Sequence, residues 1–300
     1  MPADGIQFQP REKLLSYEEM HRFVRIVGEM GVDKIRITGG EPLVRADLPV
    51  LIQMLSGLPQ IHDIALTTNG MLLAEHAADL KLAGLQRLNI SLDTLSEETF
   101  QHISRRTGLQ QVIDGIGTAM DVGFDKIRLN AIAIKDLTEP DVIPLAKFSR
   151  ERNLELRFIE FMPLDAEDRW ETENVLTGAE IRSIIESEFG TLSPAARTDA
   201  SQPSVDYRYE DKNCFVGFIN PVSEPFCGDC NRLRLTCEGQ VRSCLFSTEE
   251  WDARELLRNG GSDSEIGDLI VDCVANKKRG HLIDSDGFQK PERAMYQIGG

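Results

Sequence analysis

The sequence predicts an α/β fold built on a parallel sheet. Two observations carry that reading. Through residue 160, short β-branched runs alternate with segments of helical period, the pattern of βαβ units. The composition is 41% hydrophobic and 27% charged over 300 residues, which is ordinary for a globular protein and leaves ample material for a core.

In chain order, Ser16 is placed to cap a first helix, with Glu19 three residues on completing a capping box. Phe23, Ile26, Val27 and Met30 then fall on one helical face. Strand-like runs follow at 34–38, 63–67, 87–91, 126–132 and 154–159, with helical patterns at 73–83, 109–122 and 139–151. Five strands are fewer than a closed barrel takes, so the sheet is open or a strand is missing. Beyond residue 165 the rhythm changes. Residues 190–204, rich in Ser, Ala, Pro and Thr, read as a loop; 205–246 read as short strands and turns, and 248–278 as helical.

The net charge of −16 argues against a general nucleic-acid binder, since phosphate backbones reward a basic face. Apolar runs are too short to cross a bilayer, and the N-terminus has neither a basic segment nor an apolar core. The expected location is the cytoplasm. Four of the six cysteines, Cys227, Cys230, Cys237 and Cys244, lie close together, which points to metal rather than disulfides.

Cys227-Gly228-Asp229-Cys230 with Cys244 downstream is the strongest chemical signal. Two centres fit it. A structural zinc would take Cys237 as fourth ligand, whereas an iron–sulfur cluster held by three cysteines keeps one iron open. The surrounding pattern favours the cluster. Residues 232–237 and 241–245 read as a hairpin around Glu238-Gly239-Gln240. With that three-residue loop, Cys244 lies opposite Arg234 and joins Cys230, Arg232 and Arg234 on one face, leaving Leu233, Leu235 and Cys237 on an apolar face. Cys237 is then a core residue, like Cys214 and Cys273. Two arginines beside a cluster suit a phosphate-bearing substrate.

Thr38-Gly39-Gly40-Glu41-Pro42 follows the first strand. Taken alone it is an ordinary strand-to-helix turn. Polar residues also end later strands, at Thr67-Thr68-Asn69-Gly70, Ser91-Leu92-Asp93 and Glu160-Phe161-Met162, as strand ends do around an active site in parallel barrels. Arg36 and Arg128 interrupt apolar strands and are expected to be paired, with a carboxylate or with a phosphate. No histidine shows ligand spacing, and Lys277-Lys278-Arg279 reads as a solvated helix end.

These motifs, with Asn89-Ile90-Ser91-Leu92-Asp93, Arg157-Phe158-Ile159-Glu160-Phe161-Met162 and Phe226-Cys227-Gly228-Asp229-Cys230-Asn231-Arg232-Leu233-Arg234, resemble in order and spacing the MoaA family of GTP 3',8-cyclases, radical S-adenosylmethionine (SAM) enzymes of molybdenum cofactor synthesis. The resemblance runs the length of the chain. It implies an incomplete (β/α)6 partial TIM barrel over 1–165 and a C-terminal [4Fe-4S] and GTP-binding region over 166–300. It implies SAM binding at Gly40, Ser91 and Met162, and GTP binding at Arg36, Thr67, Arg128, Arg232, Leu233 and Arg234. It further implies cluster ligation by Cys227, Cys230 and Cys244, and a functional Gly299-Gly300 tail reaching the active site. The implied reaction converts GTP to 3',8-cyclo-7,8-dihydro-GTP. Implied partners are an electron donor, a second copy in a homodimer, and the cyclic pyranopterin monophosphate synthase of the next step.

Two departures stand out. Arg128 replaces the usual family lysine, which changes donor geometry at that position. The family's Cys-x3-Cys-x2-Cys loop, its first strand and an upstream GTP-binding arginine have no counterpart here, because Met1-Pro2 match the residues after the third cysteine. A mis-assigned start and a natural truncation both account for this. The 300 residues as written are expected to hold one cluster and not to start the radical reaction. Another radical SAM enzyme with an auxiliary cluster, acting on a peptide, and a non-catalytic GTP- and cluster-binding protein are the competing readings; the arginine pair after Cys230 disfavours the peptide.

Overall fold

The structure is a computed structural model describing residues 9–164, 170–197, 199–281, 283 and 288–299. Its strands are β1 Lys34–Ile37, β2 Asp63–Thr68, β3 Arg87–Ser91, β4 Ile127–Ala133, β5 Glu155–Glu160, β6 Leu192–Pro194, β7 Val205–Tyr209, β8 Phe215–Ile219, β9 Arg234–Leu235, β10 Gln240–Arg242 and β11 Trp251–Asp252. Its α-helices are α1 Tyr17–Glu29, α2 Leu48–Ser56, α3 Leu73–Leu82, α4 Glu97–Ser104, α5 Leu109–Asp121, α6 Val142–Arg152, α7 Gly178–Phe189, α8 Ala253–Arg258, α9 Asp263–Ala275 and α10 Met295–Ile298. All five sequence-predicted strands are present, and α3, α5 and α6 occupy the three predicted helical segments. The chain divides into two compact units: Met1–Thr67 with His76–Arg87 and Arg232–Gly300, and Thr68–Glu75 with Leu88–Asn231.

In the first unit, β1 and β2 are parallel, with Ile35 beside Ile64 and Ile37 beside Leu66. Helix α1 starts as its sequence dictates: Ser16 accepts from the Glu19 amide and Glu19 accepts from the Ser16 amide. Its apolar stripe, Phe23, Ile26 and Val27, packs with Val241 of β10, Ala253, and Ile266, Ile270 and Cys273 of α9. Burying such side chains is worth about 1.5–3 kcal/mol each. Met30 departs from the predicted face. It is 45% exposed because it is the C-cap, where the chain leaves the helix for Gly31 in the left-handed region.

The β9–β10 hairpin corrects the predicted register. Arg234 pairs with Arg242 and Leu235 with Val241, so Cys244 is not opposite Arg234. The Thr236 amide donates to Gln240 O and the Gly239 amide to Thr236 O, closing the turn over Cys237, Glu238 and Gly239, one pair earlier than expected. The strand ends at Arg242, and Cys244 lies in the bend beyond it. Leu233 and Leu235 do pack on the core. Cys237 does not: it is an exposed turn residue whose carbonyl accepts from the Leu15 amide at 2.8 Å.

In the second unit, β3, β4, β5 and β8 are parallel, with Leu88 beside Ile127, Leu129 beside Leu156 and Phe158 beside Phe218. Strands β8, β7 and β6 continue antiparallel, so the segment read as a loop at 190–204 contains a short strand. Cys214 is buried, as Cys273 is in the first unit. Glu160, 1% exposed, ends β5 and accepts from the amides of Val222 and Ser223, both at 2.9 Å, and from Gly178 at 3.4 Å. A carboxylate buried among several donors is satisfied and rigid. Among the described residues, no helix is long and apolar enough to cross a membrane.

Candidate functional site

The first unit gathers three sequence-predicted residues. The Gly39-Gly40 turn follows β1, and an ideal Cβ at Gly40 lies 3.7 Å from the Tyr296 carbonyl. Gly299, with φ of 73° and ψ of 121°, passes so close to Thr38 that a Cβ there would lie 2.6 Å from Thr38 Cγ2. Only glycine combines that backbone with that approach. Arg234 Nη1 donates to the Gly299 carbonyl. The C-terminal segment, the glycine turn and an arginine predicted to bind substrate thus share one locality. Gly300, and the domain boundary predicted at 165–166, lie outside the described residues.

Arg36 and Thr67 belong to the same unit. Arg36 is directly paired with Ala65, and strand alternation sends Thr67 to the same face as Ala65. Arg36 is exposed, not buried as its apolar neighbours led us to expect. Thr67 Oγ1 is buried and has no hydrogen-bond partner among the described residues. An orphaned hydroxyl costs about 1–3 kcal/mol, and a polar ligand would offset that cost. Arg232 lies ahead of β9, and its carbonyl accepts from Lys277 Nζ at 3.4 Å. The Phe246 amide donates to Cys244 Sγ at 3.4 Å.

The second unit holds Arg128, Ser91, Met162 and the Cys227–Cys230 turn. Arg128 Nε donates to Glu155 across the β4–β5 register, the carboxylate pairing weighed from sequence. Ser91 is exposed at the end of β3, opposite Asn130. Arg128 precedes Asn130 by two residues, so it sits about 7 Å lower along the strands. Met162 follows β5, and its carbonyl accepts from the Leu164 amide at 2.7 Å. Asp93, just past Ser91, accepts from the Ile132 amide at 2.8 Å. Burial pushes its carboxyl up to about 6, the amide pulling it back in part and Asp141 adding to the rise.

Cys227 and Cys230 flank a single 3-10 turn, the Cys230 amide reaching Cys227 O at 3.3 Å. This supplies two thiols at the spacing iron–sulfur clusters take. Cys244 belongs to the other unit. Among the described residues, no three His, Cys, Asp or Glu side chains form a preassembled metal group.

Sequence reasoning missed two ionic clusters. In the first unit, Arg242, 2% exposed, meets Glu250 at 2.5 Å, and Glu250 also meets Arg293. In the second, Arg157, 6% exposed, meets Asp206 at 3.4 Å. Charged residues in strands signalled these pairs, but their partners are remote in sequence.

The family profile described as Radical SAM superfamily matches residues 2–149, and that described as Molybdenum Cofactor Synthesis C matches 154–283. A GTP 3',8-cyclase of Rhodopirellula baltica is 48% identical over 303 residues, covering 100% of this chain and 84% of its own. One from Syntrophomonas wolfei is 40% identical over 300 residues, covering 100% and 92%. Among solved structures, native anSMEcpe with bound AdoMet superposes with a TM-score of 0.56 at 14% identity, covering 89% of this chain and 72% of that one; this is likeness of fold alone. The parallel-strand α/β architecture is therefore the radical SAM fold, and the chain belongs to the GTP 3',8-cyclase family.

Proposed function

We propose that the protein is a GTP 3',8-cyclase, converting GTP to 3',8-cyclo-7,8-dihydro-GTP in the first step of molybdenum cofactor synthesis. The observation that carries this is identity of 48% to a GTP 3',8-cyclase across the whole chain. The radical SAM family brings a [4Fe-4S] cluster and SAM, which together supply a 5'-deoxyadenosyl radical when bound. Gly40, Ser91 and Met162 are the residues we assign to SAM. We assign Arg36, Thr67, Arg128, Arg232, Leu233 and Arg234 to GTP. Two features support this assignment: the Thr67 hydroxyl, unpartnered among the described residues, and the ability of a guanidinium to bind a phosphate through two parallel N–H bonds. Cys227, Cys230 and Cys244 are the donors we assign to a second [4Fe-4S] cluster, and the Cys227–Cys230 turn supports two of the three. Gly299, held against Thr38, and Gly300 are assigned to the active site. In this reading residues 1–165 form the partial barrel and 166–300 the C-terminal cluster and GTP region. The enzyme works in the cytoplasm as a homodimer, receives electrons from a donor, and passes its product to cyclic pyranopterin monophosphate synthase.

Calorimetric titration of the anaerobically reconstituted protein with GTP and with ATP tests the substrate. GTP should bind at least about tenfold more tightly, roughly 1.4 kcal/mol. Equal affinities would overturn a guanine-specific site.

A further inference from the structure

The C-terminal segment is held at two points, and the second lies outside every residue assigned above. Arg293 Nη1 meets Glu238 at 2.6 Å. Arg293 Nε meets Glu250 Oε1 at 2.7 Å, and its Nη2 meets Glu250 Oε2 at 3.1 Å. That is a two-pronged grip on one carboxylate and a single bond to another. Glu238 sits in the β9–β10 turn, and Glu250 is also fixed by the buried Arg242 of β10. The hairpin that carries Arg234 therefore also anchors the root of the tail. Between root and tip, Met295–Ile298 form one short helical turn capped by Ala294, with the Ala294 amide donating to the Gln297 side chain at 2.9 Å and Ile298 buried. At the tip, Arg234 reaches the Gly299 carbonyl.

We infer that Arg293 is a positioning residue. Its ion pairs with Glu238 and Glu250 set where Gly299 meets Arg234 and Thr38, and so set the geometry that the Arg234 guanidinium offers to substrate. The spacing supports this. Five residues separate Arg293 from Gly299, and one helical turn takes up most of them, so a fixed root leaves the tip little freedom. All three side chains of the anchor are partly sheltered, with exposures of 24%, 18% and 22% for Arg293, Glu238 and Glu250. A sheltered network holds its geometry better than an isolated surface pair. The effect on substrate rests on the GTP-site reading above; the anchoring does not.

The test uses the full chain, reconstituted anaerobically, as Arg293→Gln, Arg293→Lys and Glu238→Gln. Hydrogen exchange of the segment from 294 to 299 reads the anchor without any turnover. Arg293→Gln should exchange there about tenfold faster than wild type, Glu238→Gln by a smaller factor, and Arg293→Lys should recover part of the protection, because an ammonium keeps the charge but not the fork. GTP affinity by calorimetry should fall in the same order, while exchange in α1 and α9 stays unchanged. Glu238→Gln, on a turn, guards against a folding defect in the arginine variants. Unchanged tail exchange in both Arg293→Gln and Glu238→Gln would overturn the anchor. Faster tail exchange with unchanged GTP affinity would overturn the positioning role. Wild-type protein that fails to bind GTP while the exchange pattern holds would instead count against the substrate reading and leave the anchor standing.

Discussion

Arg234 and Arg242 are direct partners across the β9–β10 ladder, yet their guanidinium groups meet different chemistry. Arg242 is buried against the Glu250 carboxylate and the backbone carbonyl of Ser247, whereas Arg234 reaches the carbonyl of Gly299. One arginine of the pair is committed to structure, and the other is held at the C-terminal tail.

Replacing Arg242 with Ala should therefore destabilise the protein by about 3–5 kcal/mol, the cost of breaking a buried ion pair from one side. Urea unfolding measures it. A loss below about 1 kcal/mol, typical of surface pairs, would mean that Glu250 is held by Arg293 alone.

Arg232→Ala and Arg234→Ala should each weaken GTP binding by about 1.5–3 kcal/mol, the worth of a charge-assisted contact. Calorimetry reads the change, and unchanged affinity in both variants would remove them from the nucleotide site.

Cys237→Ala should retain iron, while Cys227→Ala, Cys230→Ala and Cys244→Ala should each lose it. The expectation for Cys237 stands on its exposed place in the β9–β10 turn rather than on the apolar face inferred from sequence. Iron and sulfide analysis of the four variants decides, and iron loss in Cys237→Ala would make it a ligand.

Asp93 gives a pH dependence of definite sign. Its carboxyl titrates near 6 when folded, against 3.8 as the ordinary value. Between those values the folded state binds more protons, so stability falls as pH rises through the window and the penalty persists above it. Asp93→Asn should remove that slope and stabilise the protein at pH 8 by about 1–3 kcal/mol, read by thermal unfolding at pH 5 and pH 8. A variant with the wild-type slope would assign the effect elsewhere.

Gly217 pairs with Asp206 across β7–β8. A Cβ there would fall 2.2 Å from Ser204 Oγ and 2.4 Å from Asp206 Oδ1. Gly217→Ala should cost about 1–3 kcal/mol by overpacking and should loosen the Arg157–Asp206 pair. Chemical denaturation tests it against wild type.

Strands β2, β3, β4 and β5 were legible because each is a short apolar run with buried residues, β1 because its two isoleucines alternate with charged residues, and α1 because Ser16 and Glu19 mark its start. Helices α2, α4, α7 and α10 were not anticipated. In α2, the N-cap Asp47 adopts a left-handed conformation and makes no side-chain capping bond, so the usual start signal is missing. The hairpin register slipped because the hydroxyl of Thr236 accepts from the Gln240 amide at 3.0 Å, closing the turn one pair early, a preference that strand alternation alone does not encode. Arg128 was legible as a paired arginine because Glu155 stands in the next strand. Arg242, Glu250 and Arg293 were not, because the third member arrives from the C-terminal segment.

Glu160 has a bearing on the cysteine turn that follows in the chain. It ties the backbone at Val222 and Ser223 to the end of β5, and only three residues separate Ser223 from Cys227. The cysteine turn is thus tethered to the sheet by bonds that involve no iron. If these thiols hold the cluster proposed above, its loss would leave Cys227 and Cys230 on a turn still tied to the sheet, so reloading would meet two thiols already near one another.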